Sequence, residues 1–508
     1  MRMKNPKLTV ALLVLCFALW GLVNNMSDNL VPSFQKIFMQ EQETSALVQV
    51  AFYGAYAVLA LFTSILVQEF SFRAGILIGL GVYVCGALLY IPACLNQSFE
   101  SYLVGIFIVA GGCAILEASS NSCMLAMGDP KSAIRRLNFA QVLNPVGSLV
   151  GIFIAQKAIL ANLNPATVPE RLAMDPATRA GIVHEELFWV CVPYVSLCLV
   201  MLAIWIYFAR HPIHTRMEEE NATAPRAPLL RRLGRVALAI AFAAVPLAGA
   251  CLFLPNLPLL GKMLFGMIGP FTCILVTPAY RASFFALLRR PRYVCGVLAL
   301  FAYVGMQLGT WTYTNAYCVK TLGVATDAAA NYYLLEIVFF ILVCWGATYS
   351  MKWIAPWKIM AVFCVGGFAS ALGVVYLPAA ALFTVNGLPF PPSVISLILI
   401  NAFMSIVFPT IYGMALDGLD AKCFKLGGPG MVMAILGGAV IVPAMAAIIG
   451  AKDSVFFQLV QGFSFDFDAN LRTSDAAVRA SFYVPAICFV VMFLYAVVFR
   501  GSPARREA

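Results

Sequence analysis

Charge is what this sequence most lacks. Only 11% of its 508 residues are Asp, Glu, Lys or Arg, where a soluble domain carries about 25%. With 62% hydrophobic residues, no water-solvated core could hide the apolar surface, so the bilayer must be the solvent. Histidine occurs three times. The one helical pair, His211-x-x-His214, flanks a proline and has no third ligand, which argues against a metal centre. The 15 cysteines stand mostly singly in apolar runs (Cys16, Cys85, Cys94, Cys251, Cys344), as small buried hydrophobes do. With no CxxC pair, neither a disulfide framework nor a redox motif is expected. Gly427-Gly-Pro-Gly430 lacks the Lys-Ser/Thr of a phosphate loop and reads as a flexible helix start. Asp466-Phe-Asp468 resembles the acidic pair of some sugar-nucleotide enzymes, but it falls in an expected outer loop and reads as solvated. No catalytic constellation and no cofactor site emerge.

What the chain has in abundance is long apolar stretches. A crossing helix needs about 20 predominantly apolar residues. Such windows fall at 8–28, 44–68, 73–95, 101–127, 138–160 and 187–209, then 236–254 and 258–280. Six more follow at 293–318, 329–351, 357–378, 391–416, 428–450 and 479–500. The expected fold class is therefore an all-α polytopic membrane protein of fourteen spans. Residues 1–209 form an N-terminal six-helix bundle, 210–235 a cytoplasmic loop, 236–292 an extra transmembrane hairpin with its linker, and 293–508 a C-terminal six-helix bundle. The hairpin turns between Pro255 and Pro258, too short a stretch for anything but a tip. The first apolar run is longer than a signal core and no small-residue cleavage site follows it, so it reads as an uncleaved span.

Basic clusters at Arg2/Lys4/Lys7, Lys131/Arg135/Arg136, Arg231/Arg232/Arg235, Arg289/Arg290/Arg292 and Arg505/Arg506 all fall on one side of this topology. The positive-inside rule makes that side cytoplasmic, with both termini in it, and the expected location is the cell membrane. It also accounts for the net charge of +10 without a nucleic-acid partner. Two sets of six suggest a duplicated architecture. An internal echo agrees: Phe17-Ala18-x-x-Gly21 opens the first span and Phe301-Ala302-x-x-Gly305 its counterpart.

Against this apolar background a few residues stand out. A carboxylate at mid-bilayer costs about 2.5–3.5 kcal/mol even on the lenient insertion scale, so its presence asks for a function. Glu117 lies in the middle of the fourth span, with Asn121 one turn on and Gly111 and Gly112 before it; the small residues are expected to leave room for water or ligand. Asp28 ends the first span, with Asn24 and Asn25 four and three residues before it. Asn138, Gln141, Asn144 and Ser148 form a third polar face, and amides offer the donors and acceptors that a polyhydroxylated ligand needs. The second half offers aromatic and amide groups instead: Gln307, Trp311, Tyr313, Asn315, Asn331, Asn401 and Tyr412. An aromatic flank opposite a polar one suits a sugar ring. Glu336 is the one carboxylate deep in a second-half span, and it reads either as a further proton site or as the partner of a neighbouring amide.

The segments Trp20-Gly-x-x-Asn24-Asn25-x-x-Asp28-x-Leu30-x-Pro32-x-Phe34, Leu116-Glu117-Ala-x-x-Asn121 and Arg136-Leu-Asn138-x-Ala-Gln141-x-x-Asn144-x-x-Gly147 resemble the L-fucose:proton symporter family of the major facilitator superfamily. So do Tyr303-Val-Gly-x-Gln307-x-x-x-Trp311, Ala329-Ala-Asn331-Tyr332 and Ala402-Phe-Met-Ser405-x-x-x-Pro409-Thr410. The resemblance implies a twelve-helix core of two six-helix bundles around a central cavity. It also implies proton-coupled monosaccharide symport by alternating access. The family's coupling Asp and Glu match Asp28 and Glu117. Its sugar-binding amides match Asn25, Gln141 and Asn144, and Asn121, Gln307, Trp311 and Asn331 complete the expected binding set. The partners implied are a small sugar, a proton and the bilayer, and the expected state is a monomer. The chain departs from the family in its extra hairpin, in Cys344-Trp345 where many relatives carry an Arg, and in the charge at Glu336. A sodium-coupled transporter of the same fold, a non-transporting sensor and an enzyme on lipid-linked sugars remain as alternatives.

Overall fold

The computed structural model describes residues 6–28, 30–39, 47–213, 215, 228–253, 259–449 and 475–500. Nearly all of it is helical. The first half comprises α1 (Pro6–Asp28), α2 (Leu30–Ile37), α3 (Leu47–Glu69), α4 (Phe72–Leu88) continued by α5 (Tyr90–Leu95), α6 (Phe99–Ala126), α7 (Ala133–Gln141) followed by α8 (Leu143–Ile154), α9 (Val168–Ala173) and α10 (Pro176–Arg210). Next come α11 (Leu229–Phe253), α12 (Leu259–Val276) and α13 (Pro278–Leu288). The second half has α14 (Pro291–Leu322), α15 (Thr326–Ser350), α16 (Pro356–Tyr376), α17 (Pro392–Met404) with α18 (Val407–Leu416), α19 (Ala421–Met431) with α20 (Gly437–Ile449), and α21 (Asp475–Ala480) with α22 (Tyr483–Val498). One antiparallel ribbon, β1 (Phe383–Val385) with β2 (Leu388–Phe390), turns through Asn386 and Gly387. Both turn residues have positive φ, as a two-residue hairpin requires.

Within the described residues each expected span falls on helical structure, although 138–160, 258–280, 391–416 and 428–450 each cross a helix break, and the count differs by measure. Among the described residues eleven helices are long and apolar enough to cross a membrane. A twelfth is added if Ile268–Val276 and Pro278–Leu288, bent by 102°, form one broken span. The expected fourteen further need all of α3 and both arms of the hairpin, parts of which lie outside the described side chains. The hairpin tip itself (254–258), His214 and the pair Asp466/Asp468 lie outside the described residues.

Helix starts are set by caps rather than by hydropathy. Asp175 accepts hydrogen bonds from the backbone N–H groups of Ala177 and Thr178, and Pro176 follows at the first helical position, so α10 begins well before its apolar window. Asp420 does the same for α19 through the N–H of Cys423. Gly427-Gly-Pro-Gly430 consequently lies inside α19, not at a helix start. A cap can stand several residues outside the membrane, where hydropathy carries no signal.

The chain divides into two packing units. The first holds 1–130, 143–287 and 419–433; the second holds 131–142, 288–418 and 434–508. In the first unit α1 and α8 meet backbone to backbone. A Cβ on Gly147 would overlap the carbonyl oxygen of Ala18, and one on Gly151 would overlap that of Leu22. Gly21 in turn faces the carbonyl of Asn144. This is the close approach that small residues permit between membrane helices. The second unit repeats it: a Cβ on Gly437 would overlap the carbonyl oxygen of Phe301, and one on Gly305 would lie 2.5 Å from the carbonyl oxygen of Gly437. The echo Phe-Ala-x-x-Gly marks one helix crossing made twice.

Two polar clasps finish the first unit. Arg171 and Glu186, exposed by 1% and 2% at their side chains, form a two-pronged ion pair at 2.5 and 2.7 Å. The spare donors of Arg171 reach the carbonyls of Ala166 and Asn164, and Glu186 also accepts from the Asn164 N–H, so the loop before α10 is closed on itself. At the other end of α3, Glu69 accepts from Arg235 at 2.7 Å and from the Tyr280 hydroxyl, while Arg232 donates to the Glu69 carbonyl and lies over the Phe70 ring. These contacts fasten α11 and α13 to the first unit.

Candidate functional site

The first unit brings together polar groups from four helices. Glu117 sits half-buried on α6, and Asn121, one turn on, is fully buried. Tyr56 on α3 lies within hydrogen-bonding reach of the Glu117 carboxyl and donates to Asn24 Oδ1 on α1 at 3.3 Å. Beside Asn24, the Asn25 amide donates to Ser148 Oγ on α8 at 2.7 Å. Ser148 is positioned by the carbonyls of Asn144 and Gly21, at 3.2 and 3.3 Å. Asn24 and Asn25 thus tie α1 to α3 and α8, and Tyr56 carries the connection on to α6. Among the described residues no ion pair neutralises Glu117.

The glycines before Glu117 do not leave the expected space. A Cβ on Gly111 would overlap Leu59, and one on Gly112 would lie 2.5 Å from the backbone nitrogen of Tyr83. Their smallness is used to seat α6 against α3 and α4. Tyr56, which links the carboxyl to Asn24, does not stand out in the sequence because it lies in an apolar run with Phe52 and Ala60. Its only signal was a hydroxyl that would need a partner when buried.

The remaining first-half candidates part ways. Asn144 is half-buried on α8, in the first unit. Gln141 closes α7, before the helix break at Val142, and belongs to the second unit with Asn138. There Asn138 donates to Thr410 on α18 at 3.4 Å. Asp28 is the last residue of α1; its side chain lies outside the described residues.

In the second unit Trp311 on α14 donates its indole N–H to Asn401 Oδ1 on α17 at 2.7 Å, with Tyr333 edge-on to its ring. Gln307, one turn before Trp311, is half-buried. Asn331 is exposed near the start of α15, with no bond to either. Glu336 is fully buried on α15; Thr314 Oγ1 lies 3.0 and 3.1 Å from its two oxygens, and the Asn401 amide is within reach. The amide expectation for Glu336 therefore has a geometric counterpart.

The Major Facilitator Superfamily model matches residues 13–423. The chain is 31% identical over 484 residues to a Haemophilus influenzae protein named L-fucose-proton symporter, covering 94% of this chain and 93% of the relative. To the Escherichia coli L-fucose-proton symporter it is 27% identical over 487 residues, covering 96% and 92%. A solved major facilitator transporter, FucP in the outward conformation, superposes with a TM-score of 0.73 at 25% identity over 98% of this chain and 100% of that one. Coverage of this extent rules out a shared domain or motif alone as the source of the likeness. By sequence and fold together, this chain belongs to the L-fucose:proton symporter family of the major facilitator superfamily.

Proposed function

We propose that this protein is a proton-coupled monosaccharide symporter of the cell membrane, with Glu117 and Asp28 as the groups that carry the proton. The observation that supports this most is Glu117: a carboxyl in a membrane span, tied to Asn24 by Tyr56 and, among the described residues, without a cation partner. Such a group is stable in apolar surroundings when protonated and costly there when charged. A proton taken from the outer side lets the loaded site become enclosed, and its release to the inner side allows the empty site to return.

The sugar is held by the amides Asn25, Asn121, Gln141 and Asn144 and, from the second half, by Gln307, Trp311 and Asn331. Amides offer the paired donors and acceptors that hydroxyls match, and an indole covers the apolar face of a sugar ring. L-Fucose is the first sugar to try, since it is the one named for both relatives. The full set of fourteen spans, with both termini and the basic loops in the cytoplasm, and a monomeric working unit complete the reading.

The decisive variant is Glu117→Gln, assayed in proteoliposomes. It should keep sugar exchange across the membrane but lose accumulation driven by an inward proton gradient. Full gradient-driven accumulation by the variant would remove Glu117 from the coupling.

A further inference from the structure

Glu336 is the buried carboxyl that this coupling scheme leaves unused. It lies in a membrane span with 0% exposure, and among the described residues it forms no ion pair. The buried Cys318 thiol, one turn beyond Thr314 on α14, lies close enough to interact with it electrostatically. No Lys, Arg or His among the described residues faces it from α14 or α17.

The contacts around it can be counted proton by proton. Thr314 has a single hydroxyl proton, yet its Oγ1 lies 3.0 Å from the Thr310 carbonyl and 3.0 and 3.1 Å from the two oxygens of Glu336. The bond back to the carbonyl four residues earlier is the ordinary one for a helical threonine. If Thr314 spends its proton there, its contact with Glu336 is a hydrogen bond only when Glu336 is the donor. On the other side, Asn401 Oδ1 is taken by the Trp311 indole at 2.7 Å, which turns Nδ2 toward the Leu397 carbonyl (3.4 Å) and Glu336. An assignment in which Glu336 donates to Thr314 and accepts from Asn401 satisfies Glu336, Thr314 and Asn401 together. An ionised carboxyl would leave a buried charge with no cation, which apolar surroundings oppose.

We propose that Glu336 is a neutral carboxylic acid that acts as a positioning residue, holding Trp311 through Asn401 so that the indole presents a fixed face to the sugar. The proposal rests on the reading of Trp311 as a sugar-facing residue. Glu336 keeps its proton through the cycle, unlike Glu117. Because glutamine has nearly the same shape and can donate an amide N–H to Thr314 while its carbonyl accepts from Asn401, it is the conservative replacement.

The test combines infrared spectroscopy of the full-length protein in lipid with transport kinetics. The carbonyl stretch of a protonated carboxylic acid should vanish in Glu336→Gln and persist in the wild type from mildly acid to mildly alkaline pH. Glu336→Gln should keep the wild-type pH profile, gradient-driven accumulation and KM within about twofold. Asn401→Leu should raise KM about tenfold while changing the maximal rate less, and Asn401→Ser serves if the leucine variant does not fold. Absence of a protonated band assignable to Glu336 overturns the neutral state. Loss of accumulation with retained exchange in Glu336→Gln makes Glu336 a proton carrier instead. An unchanged KM in the Asn401 variants removes the positioning role. Failure of the wild type to move any monosaccharide would refute the sugar reading and leave the infrared result to decide the protonation alone.

Discussion

Tyr56, Asn24 and Glu117 form the chain of polar contacts on which the chemistry of the first unit depends. A hydrogen bond to a charged group is worth about 1.5–3 kcal/mol. Tyr56→Phe should therefore lower kcat/KM for gradient-driven uptake by roughly tenfold or more while leaving the amount of folded protein unchanged. Unaltered kinetics would separate Tyr56 from the site. A second residue-scale expectation concerns stability. Arg171 and Glu186 are both almost wholly buried and bonded at 2.5 and 2.7 Å. Glu186→Gln leaves the guanidinium uncompensated and should cost about 3–5 kcal/mol, read as a large drop in the thermal midpoint of the purified protein. A midpoint within a degree or two of wild type would mean that the loop is held by other contacts. Of these residues only Glu117 and Asn24 were legible in the sequence, because a charge or amide in or beside an apolar run is conspicuous, whereas Glu186 stands just outside its apolar window. Tyr56 and Arg171 were not, since a tyrosine suits an apolar helix and an arginine suits a loop.

At the level of elements, two helix crossings carry the architecture. α1 meets α8 at Gly21, Gly147 and Gly151, and α14 meets α20 at Gly305 and Gly437, with backbone against backbone in both. Any side chain at Gly147 or Gly437 must push the helices apart. Gly147→Leu and Gly437→Leu should each destabilise by about 3 kcal/mol or more, seen as aggregation on size-exclusion chromatography after extraction. Gly181→Leu, at a position with open space around it, is the control. A monodisperse Gly147→Leu protein would contradict the crossing. The Phe-Ala-x-x-Gly echo exposed this repeat in the sequence, but its partners on α8 and α20 could not be read without the fold. Helix starts were less legible still. Asp175 and Asp420 begin helices several residues outside the apolar windows, where only the cap decides the boundary. The clasp of Glu69 with Arg235 and Tyr280 was likewise hidden, because it joins residues far apart in the chain.

For the whole molecule, composition alone dictated the class: at 11% charged residues the chain can be solvated only by lipid. The motif spread from Trp20 to Pro409 carried the family, since matches in both halves cannot come from one shared helix. What remained out of reach was the allocation of the chain between units. The stretch 131–142 packs in the second unit and 419–433 in the first, although sequence order alone would assign each to the other half. Packing of this kind depends on surfaces that meet only in three dimensions.

Sugar and proton cross together in the proposed cycle. This coupling is tested most directly by adding L-fucose to proteoliposomes holding the purified protein and recording external pH with no gradient imposed. The medium should turn alkaline as sugar enters, Glu117→Gln should abolish this signal while retaining exchange, and sodium should make no difference. Sugar entry with no proton movement, or entry that requires sodium, would contradict it.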